Sequence, residues 1–418
     1  MTIEITRLEN GVTVATDRMD SVETASVGVW VASGARHEPA EHNGIAHMLE
    51  HMAFKGTHRR TAQGIAEEIE AVGGQLNAYT SREHTAYYAK VLAGDTPLAI
   101  DILADILQHS TFDPAELERE RAVVLQEIGQ ADDTPDDIVF DHFQAAAYPG
   151  QAMGRPVLGT VETVGSFGQN TLIDHLRAEY GPSRAILAAA GRIEHDRIVA
   201  LARRHFDAMP GNGAHPPEPA RYAGGEHREE RELEQLHLVL GFEGVSATDP
   251  AFYDVAALSV LLGGGMSSRL FQEVREKRGL AYSIYAYATS FSDSGTFGIY
   301  AGTGESSVPE LVAVTAGECM ATAARAGADE VARARAQLKA TTLMALESTG
   351  ARCERLAQNL MSYGRVVPVE EIVGRINAVD QGAIEAAARR IFKGAPTLAA
   401  VGPLGTLGPL DAVARRFA

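Results

Sequence analysis

The chain has 418 residues, 45% of them hydrophobic and 22% charged, which suits a globular protein of two or more domains and excludes a disordered one. Its 37 basic and 55 acidic side chains leave a net charge of -18, the opposite sign to that of a nucleic-acid binder. An acidic surface of this kind is read as a solubility device rather than as a lure for cationic substrates. No apolar run approaches the roughly 18–20 residues of a membrane span. Two cysteines, Cys319 and Cys353, cannot form a disulfide framework or a thiolate cluster, and are expected as buried thiols. Residues 1–11 carry no basic patch followed by an apolar stretch, so no export signal is expected and the cytoplasm is the default location, with a mature organellar form as the alternative.

In chain order, "SVGVWVASGARHEP" reads as an apolar-alternating strand running into a loop that ends at Pro39. A helix with "NGIAHMLEHMAFKGT" follows, then a strand pair in "LNAYTSREHTAYYAKVL", a helix over residues 114–128, and a strand "AILAAAGRI" that reaches Gly191. Residues 209–232, rich in Pro, Gly and charge, read as a linker. Beyond it the pattern returns. "LHLVLGFEGVSATDP" ends at Pro250, a strand pair lies in "AYSIYAYATSFSDSGTFGIYAG", a helix covers residues 329–347, and "TLAAVGPLG" reaches Gly402. Pro39 and Pro250 are 211 residues apart, and so are Gly191 and Gly402. The expected fold is α+β: two internally repeated domains, residues 1–208 and 233–418, each an antiparallel-rich sheet packed with helices.

Within the first helix stand His47, Glu50 and His51. Positions four apart share a helix face, so both imidazoles can point at one ion while Glu50 lies beside them. This H-x-x-E-H order inverts the commoner zinc-protease arrangement. The repeat supplies a control, because a shift of 211 places Leu258, Leu261 and Leu262 on the same face. That face is one a helix buries, and two imidazoles and a carboxylate there would cost several kcal/mol unless they satisfied one another or a metal. A third protein ligand is expected on "DPAELERERAVVLQEIGQ", where Glu120 and Glu127 are seven apart and share a face. The second copy has Ala334 and Thr341 there. Glu127 is preferred as ligand and Glu120 as a partner orienting a ligand, whereas Glu118 reads as part of a solvated acidic face.

These motifs, together with "GGQLNAYTSREHTAYY", "GRPVLGT" and "GMSSRLFQEVREKRGLAYS", resemble those of the pitrilysin-type zinc peptidases, within them the mitochondrial processing peptidase group and its bacterial relatives. The resemblance spans the whole length. It implies a processing-peptidase-like metallohydrolase fold and one Zn2+ per chain, held by His47, His51 and the glutamate 76 residues later, Glu127, with Glu120 assisting. It implies hydrolysis of unfolded or short peptides in an enclosed chamber, with Glu50 as general base acting on metal-activated water. It places the family's Arg–Tyr pair on Arg275 and Tyr282, as stabilisers of the developing oxyanion.

Several readings of the substrate path remain double at this stage. Residues 73–80 could offer an edge to an extended peptide, with Asn77 and Ala78 nearest the scissile bond by resemblance, or could be an ordinary internal strand. Phe54 could line an apolar pocket or belong to the core. Asp137 and Asp141 could receive a basic substrate side chain, as acidic residues do in processing peptidases, or be a solvated turn. The resemblance further implies a homodimer with a shared active site, since single-chain relatives carry four such domains and this chain has two. The rival reading is a catalytically silent scaffold or assembly subunit of the same fold.

Overall fold

Strand β3 (Thr24–Val31) is buried along almost its whole length, because both faces of its sheet are covered. It lies inside a six-stranded sheet with β1 (Thr2–Arg7), β2 (Thr13–Arg18), β4 (Gln75–Thr80), β5 (Thr85–Leu92) and β6 (Ala185–Gly191), in the order β1-β2-β6-β3-β5-β4. Only β2 and β6 pair in parallel; the other ladders are antiparallel. The second sheet holds β7 (Gly225–Glu230), β8 (Leu236–Glu243), β9 (Ala281–Ser290), β10 (Gly295–Thr303) and β11 (Thr397–Gly402), in the order β7-β11-β8-β10-β9. Here too only one pair, β11 with β7, is parallel. These are the coordinates of a computed structural model, which describes residues 2–209 and 216–417.

The repeat expected from the sequence is visible in single residues. β6 and β11 each end on a glycine at φ 126°, Gly191 and Gly402. A Cβ would stand 2.2 Å from the Thr24 carbonyl oxygen at the first and 2.6 Å from that of Gln235 at the second, so neither position tolerates a side chain. The α+β class and the antiparallel-rich sheets are as the sequence predicts.

The chain divides into two compact units: Met1–Gly129 with Arg155–Glu218 and Met344–Val366, and Gln130–Gly154 with Pro219–Leu343 and Val367–Ala418. Each half thus contributes one helical segment to the other half's unit. In the first, the helix Thr349–Tyr363 lays Cys353, Leu356 and Ala357 on Ala188 and Ala190 of β6. In the second, the helix Pro135–Ala147 lays Val139 and Phe143 on Ala399 and Val401 of β11. The two alanines of β6, and Ala399 of β11, keep the sheet surface low enough for close approach. Of the 209–232 segment expected to be linker, residues 210–215 lie outside the described residues and residues 225–230 form β7. Its charged composition hides a strand whose alternate residues, His227 and Glu229, are partly buried. Among the described residues no helix is long and apolar enough to cross a membrane.

Candidate metal centre

The helix Ile45–Ala53 carries the two histidines, and its seating starts before its first residue. Gly44 adopts φ 93°, and a Cβ there would meet Gly159 Cα and the Leu158 carbonyl oxygen at 2.7 Å. Gly159 is itself at φ 78°, with a Cβ position 2.5 Å from the Asn43 oxygen. Two chain segments therefore cross here in van der Waals contact, which only glycine on both permits. The first donors of the helix are satisfied by the buried Glu38 carboxylate, which accepts from Gly44 N and Ala46 N at 2.8 Å and from Asn43 Nδ2 at 2.9 Å. Burial raises that carboxyl to about 7 against the pull of these donors. Ile45, Met48, Leu49 and Met52 anchor the helix in the core and leave His47, Glu50 and His51 on the opposite, partly open face.

The second helix, Pro114–Asp132, supplies the carboxylates. Glu127 Oε2 lies 3.7 Å from His47 Nε2 and 3.5 Å from His51 Nε2. Those separations are long for a hydrogen bond, yet they lie close to those of three ligands sharing one ion with bonds of about 2.0–2.2 Å, whose tetrahedral edges measure about 3.3–3.6 Å. The imidazole rings meet edge to face, 4.6 Å between centroids. Burial, then the neighbouring His51, lowers His47 to about 4, so its ring is neutral and able to ligate at neutral pH. His47 Nδ1 is buried with no hydrogen-bond partner among the described residues. The donor set of two imidazoles and a carboxylate fits zinc.

Around this triad lie the residues that hold it. Glu120, almost wholly buried, reaches His51 Nδ1 with Oε2 at 3.0 Å and accepts from Lys55 Nζ on Oε1 at 2.6 Å. With His51 Nε2 turned towards Glu127, the proton belongs on Nδ1, and Glu120 fixes both tautomer and ring orientation. Glu50 Oε2 accepts from Thr80 Oγ1 at 2.6 Å. Its carboxyl is raised by burial and by Glu127, against the Thr80 hydrogen bond and His51. Glu118, by contrast, is exposed and paired with Arg121 on the helix surface. In the second copy Leu258, Leu261 and Leu262 are fully or almost fully buried, as the sequence comparison predicts.

The remaining expected site residues fall as follows. Phe54 is half-buried, packing on the core with its ring 6.3 Å from Tyr87. Asn77 and Ala78 lie on β4, the last strand of its sheet. Ala78 packs towards the core beneath the histidine helix, whereas Asn77 lines a cavity of about 420 Å³ with Trp30, Tyr79, Tyr88 and Glu354. Asp137 is exposed in the first turn of the helix Pro135–Ala147, where a carboxylate complements the helix dipole, and Asp141 is one turn on. Both belong to the second unit, as do Arg275 and Tyr282. Arg275 stands in a π-helical turn, Phe271–Glu276, its guanidinium over the Tyr282 ring at 4.3 Å and the Phe271 ring at 4.7 Å. Tyr282, near the start of β9, is 74% exposed. Sequence reasoning missed Thr80, Lys55 and Glu38. The period-two pattern that puts Ala78 and Thr80 on one face of β4 was the one available signal, and it named no partner.

Two family models match the chain: "Insulinase (Peptidase family M16)" over residues 13–161 and "Peptidase M16 inactive domain" over residues 166–338. An uncharacterized zinc protease of Bacillus subtilis is 40% identical, covering 96% of this chain and 98% of its own. A probable mitochondrial-processing peptidase subunit beta of Arabidopsis thaliana is 37% identical over 99% of this chain and 80% of its own. Among solved structures, a protease from Helicobacter pylori superposes with a TM-score of 0.89 over 96% of this chain and 99% of its own. At 21% identity, that likeness shows the fold.

Proposed function

Because the chain belongs to the M16 peptidase family and is a zinc metalloprotease, we propose that it is an endopeptidase for unfolded or short peptides, with Glu50 as its general base. One observation carries the reading. His47, His51 and Glu127 converge at ligand spacing, and Glu50, on the same helix face, is tied by Thr80 rather than spent as a fourth ligand. Zinc, when bound by these three, supplies a Lewis acid that acidifies water and polarises a carbonyl.

The chain's own residues do the rest. Glu50 takes the proton of the attacking water and returns it to the leaving amine, and Thr80 holds the carboxylate in line for both transfers. Glu120 keeps His51 from turning. Strand β4, last in its sheet, presents backbone groups that would pair with an extended substrate and so select for peptides lacking stable folded structure. A catalytically silent scaffold has no use for a Thr80 bond to Glu50, and this contact favours the enzyme.

The proposal extends to a homodimer in which the Arg275–Tyr282 pair of one chain serves the zinc of its partner. The stacking of Arg275 on Tyr282, and the exposure of the Tyr282 ring, support this. Mixing Glu50→Gln with Tyr282→Phe protein under verified chain exchange should restore part of the activity. Exchange without recovery refutes the shared site. For the reaction itself, zinc analysis of purified protein and cleavage of a mixed peptide library test the reading together. Zinc with no cleavage of any library member would leave the fold without the activity.

A further inference from the structure

Away from the histidine helix, a second group of metal-binding side chains comes together in the second unit. His142 on the helix Pro135–Ala147 faces His227 and Glu229 of β7, and one donor atom from each lies within 4.8 Å of the others. Local geometry brings them there. Residues two apart on a strand share a face, so His227 and Glu229 both look towards the helix. On that helix Val139 and Phe143 are pinned against Ala399 and Val401 of β11, and β7 is the neighbouring strand, with His227 opposite Ala399 and Glu229 opposite Val401. His142, three positions after Val139, therefore falls over β7.

The three side chains could hold one ion, although one of their contacts is already a hydrogen bond between His142 and Glu229. Glu229 Oε2 is 3.0 Å from His142 Nε2 and 4.0 Å from His227 Nε2. The two imidazoles stack, 3.9 Å between centroids at 21°. His227 Nε2 is buried and makes no hydrogen bond among the described residues, so a nitrogen donor is aimed at the carboxylate with nothing to bind. The other carboxylate oxygen, Oε1, accepts from Arg231 Nε at 2.6 Å, which fixes the group and leaves Oε2 for the shared side. The first unit provides a comparison. At the matching ladder places, opposite Ala188 and Ala190, stand Ala15 and Asp17, and Asp17 pairs with Arg352 Nη1 at 3.1 Å. Both carboxylates thus meet an arginine, but only Glu229 also faces two imidazoles.

We propose that His142, His227 and Glu229 form a second metal site, for a divalent first-row ion of the zinc type, which ties the helix Pro135–Ala147 to strand β7. Two imidazoles and one carboxylate oxygen are the donors such ions select over calcium or magnesium. The side chains are partly exposed, 20% for His142 and 40% for His227, so the ion has an entry path. Such an ion stabilises the native state in proportion to its affinity.

Zinc is the probe for the test, counted per chain after equilibration in a zinc buffer, with no reference to hydrolysis. The full-length protein should take up two equivalents, His227→Ala one, and the double variant His47→Ala/His51→Ala one. Zinc should raise the Tm of that double variant, and adding His227→Ala to it should abolish the rise. Glu229→Gln, which keeps the shape of the side chain, should lower uptake in the same way. One equivalent in the unaltered protein, or two in His227→Ala, overturns the proposal.

Discussion

Glu120 is the position where the structure gives the sharpest number. Its carboxylate bridges His51 Nδ1 and Lys55 Nζ, at 3.0 and 2.6 Å, and is almost wholly buried. Truncation in Glu120→Ala removes two charge-assisted contacts and leaves the His51 ring free to rotate away from Glu127. Outer partners of metal-bound histidines typically contribute 10–100-fold to metal affinity. We expect zinc binding to weaken by about that much, roughly 1.4–2.7 kcal/mol. Glu120→Gln keeps an acceptor oxygen but loses the charge, so its loss should stop near tenfold. Glu118→Ala, at an exposed side chain paired only with Arg121, should leave affinity unchanged. Competition with a chromogenic chelator measures all three. Equal affinities for Glu120→Ala and Glu118→Ala would refute the reasoning, and a Glu120→Ala defect as deep as that of Glu127→Ala would show that Glu120 is itself a ligand.

Two further predictions test how the histidine helix is seated. Gly44→Ala should lower both Tm and zinc affinity, because a left-handed backbone costs an L-residue about 1–2 kcal/mol and the new Cβ meets Gly159; unchanged thermal melting and zinc binding would mean that the crossing relaxes freely. Glu38 has a folded carboxyl at about 7, above its unfolded value of 4.5, so the native state holds a proton that the unfolded chain has lost, and stability should fall as pH rises through that window. Glu38→Gln removes this titration, and its Tm should decline less between pH 5 and 7 than that of the parent protein; parallel Tm–pH curves would contradict it.

The convergence of His47, His51 and Glu127 was legible because its signals are local or repeated: an i, i+4 histidine pair, two glutamates seven apart, and a second copy that replaces them all with apolar or neutral residues. The sheets were legible for the same reason, through Gly191 and Gly402. What stayed hidden depends on packing between distant segments. Thr80 reaches Glu50 from 30 residues away, and Glu38 caps a helix that begins seven residues later. The exchange of helical segments between the halves leaves no trace in periodicity, because Val139 and Phe143 look like any amphipathic pair until β11 lies beneath them. β7 went unread because its inward residues are histidine and glutamate, which composition assigns to solvent. The same disguise conceals the cluster of His142, His227 and Glu229.

The central claim, that Glu50 is the base beside a zinc held by three other side chains, comes down to Glu50→Gln. Zinc content and peptide hydrolysis should be measured on the same purified sample. The account predicts unchanged zinc and a loss of turnover of roughly a hundredfold or more. Zinc lost together with activity would make Glu50 a ligand, and near-normal turnover with zinc in place would remove it from the reaction.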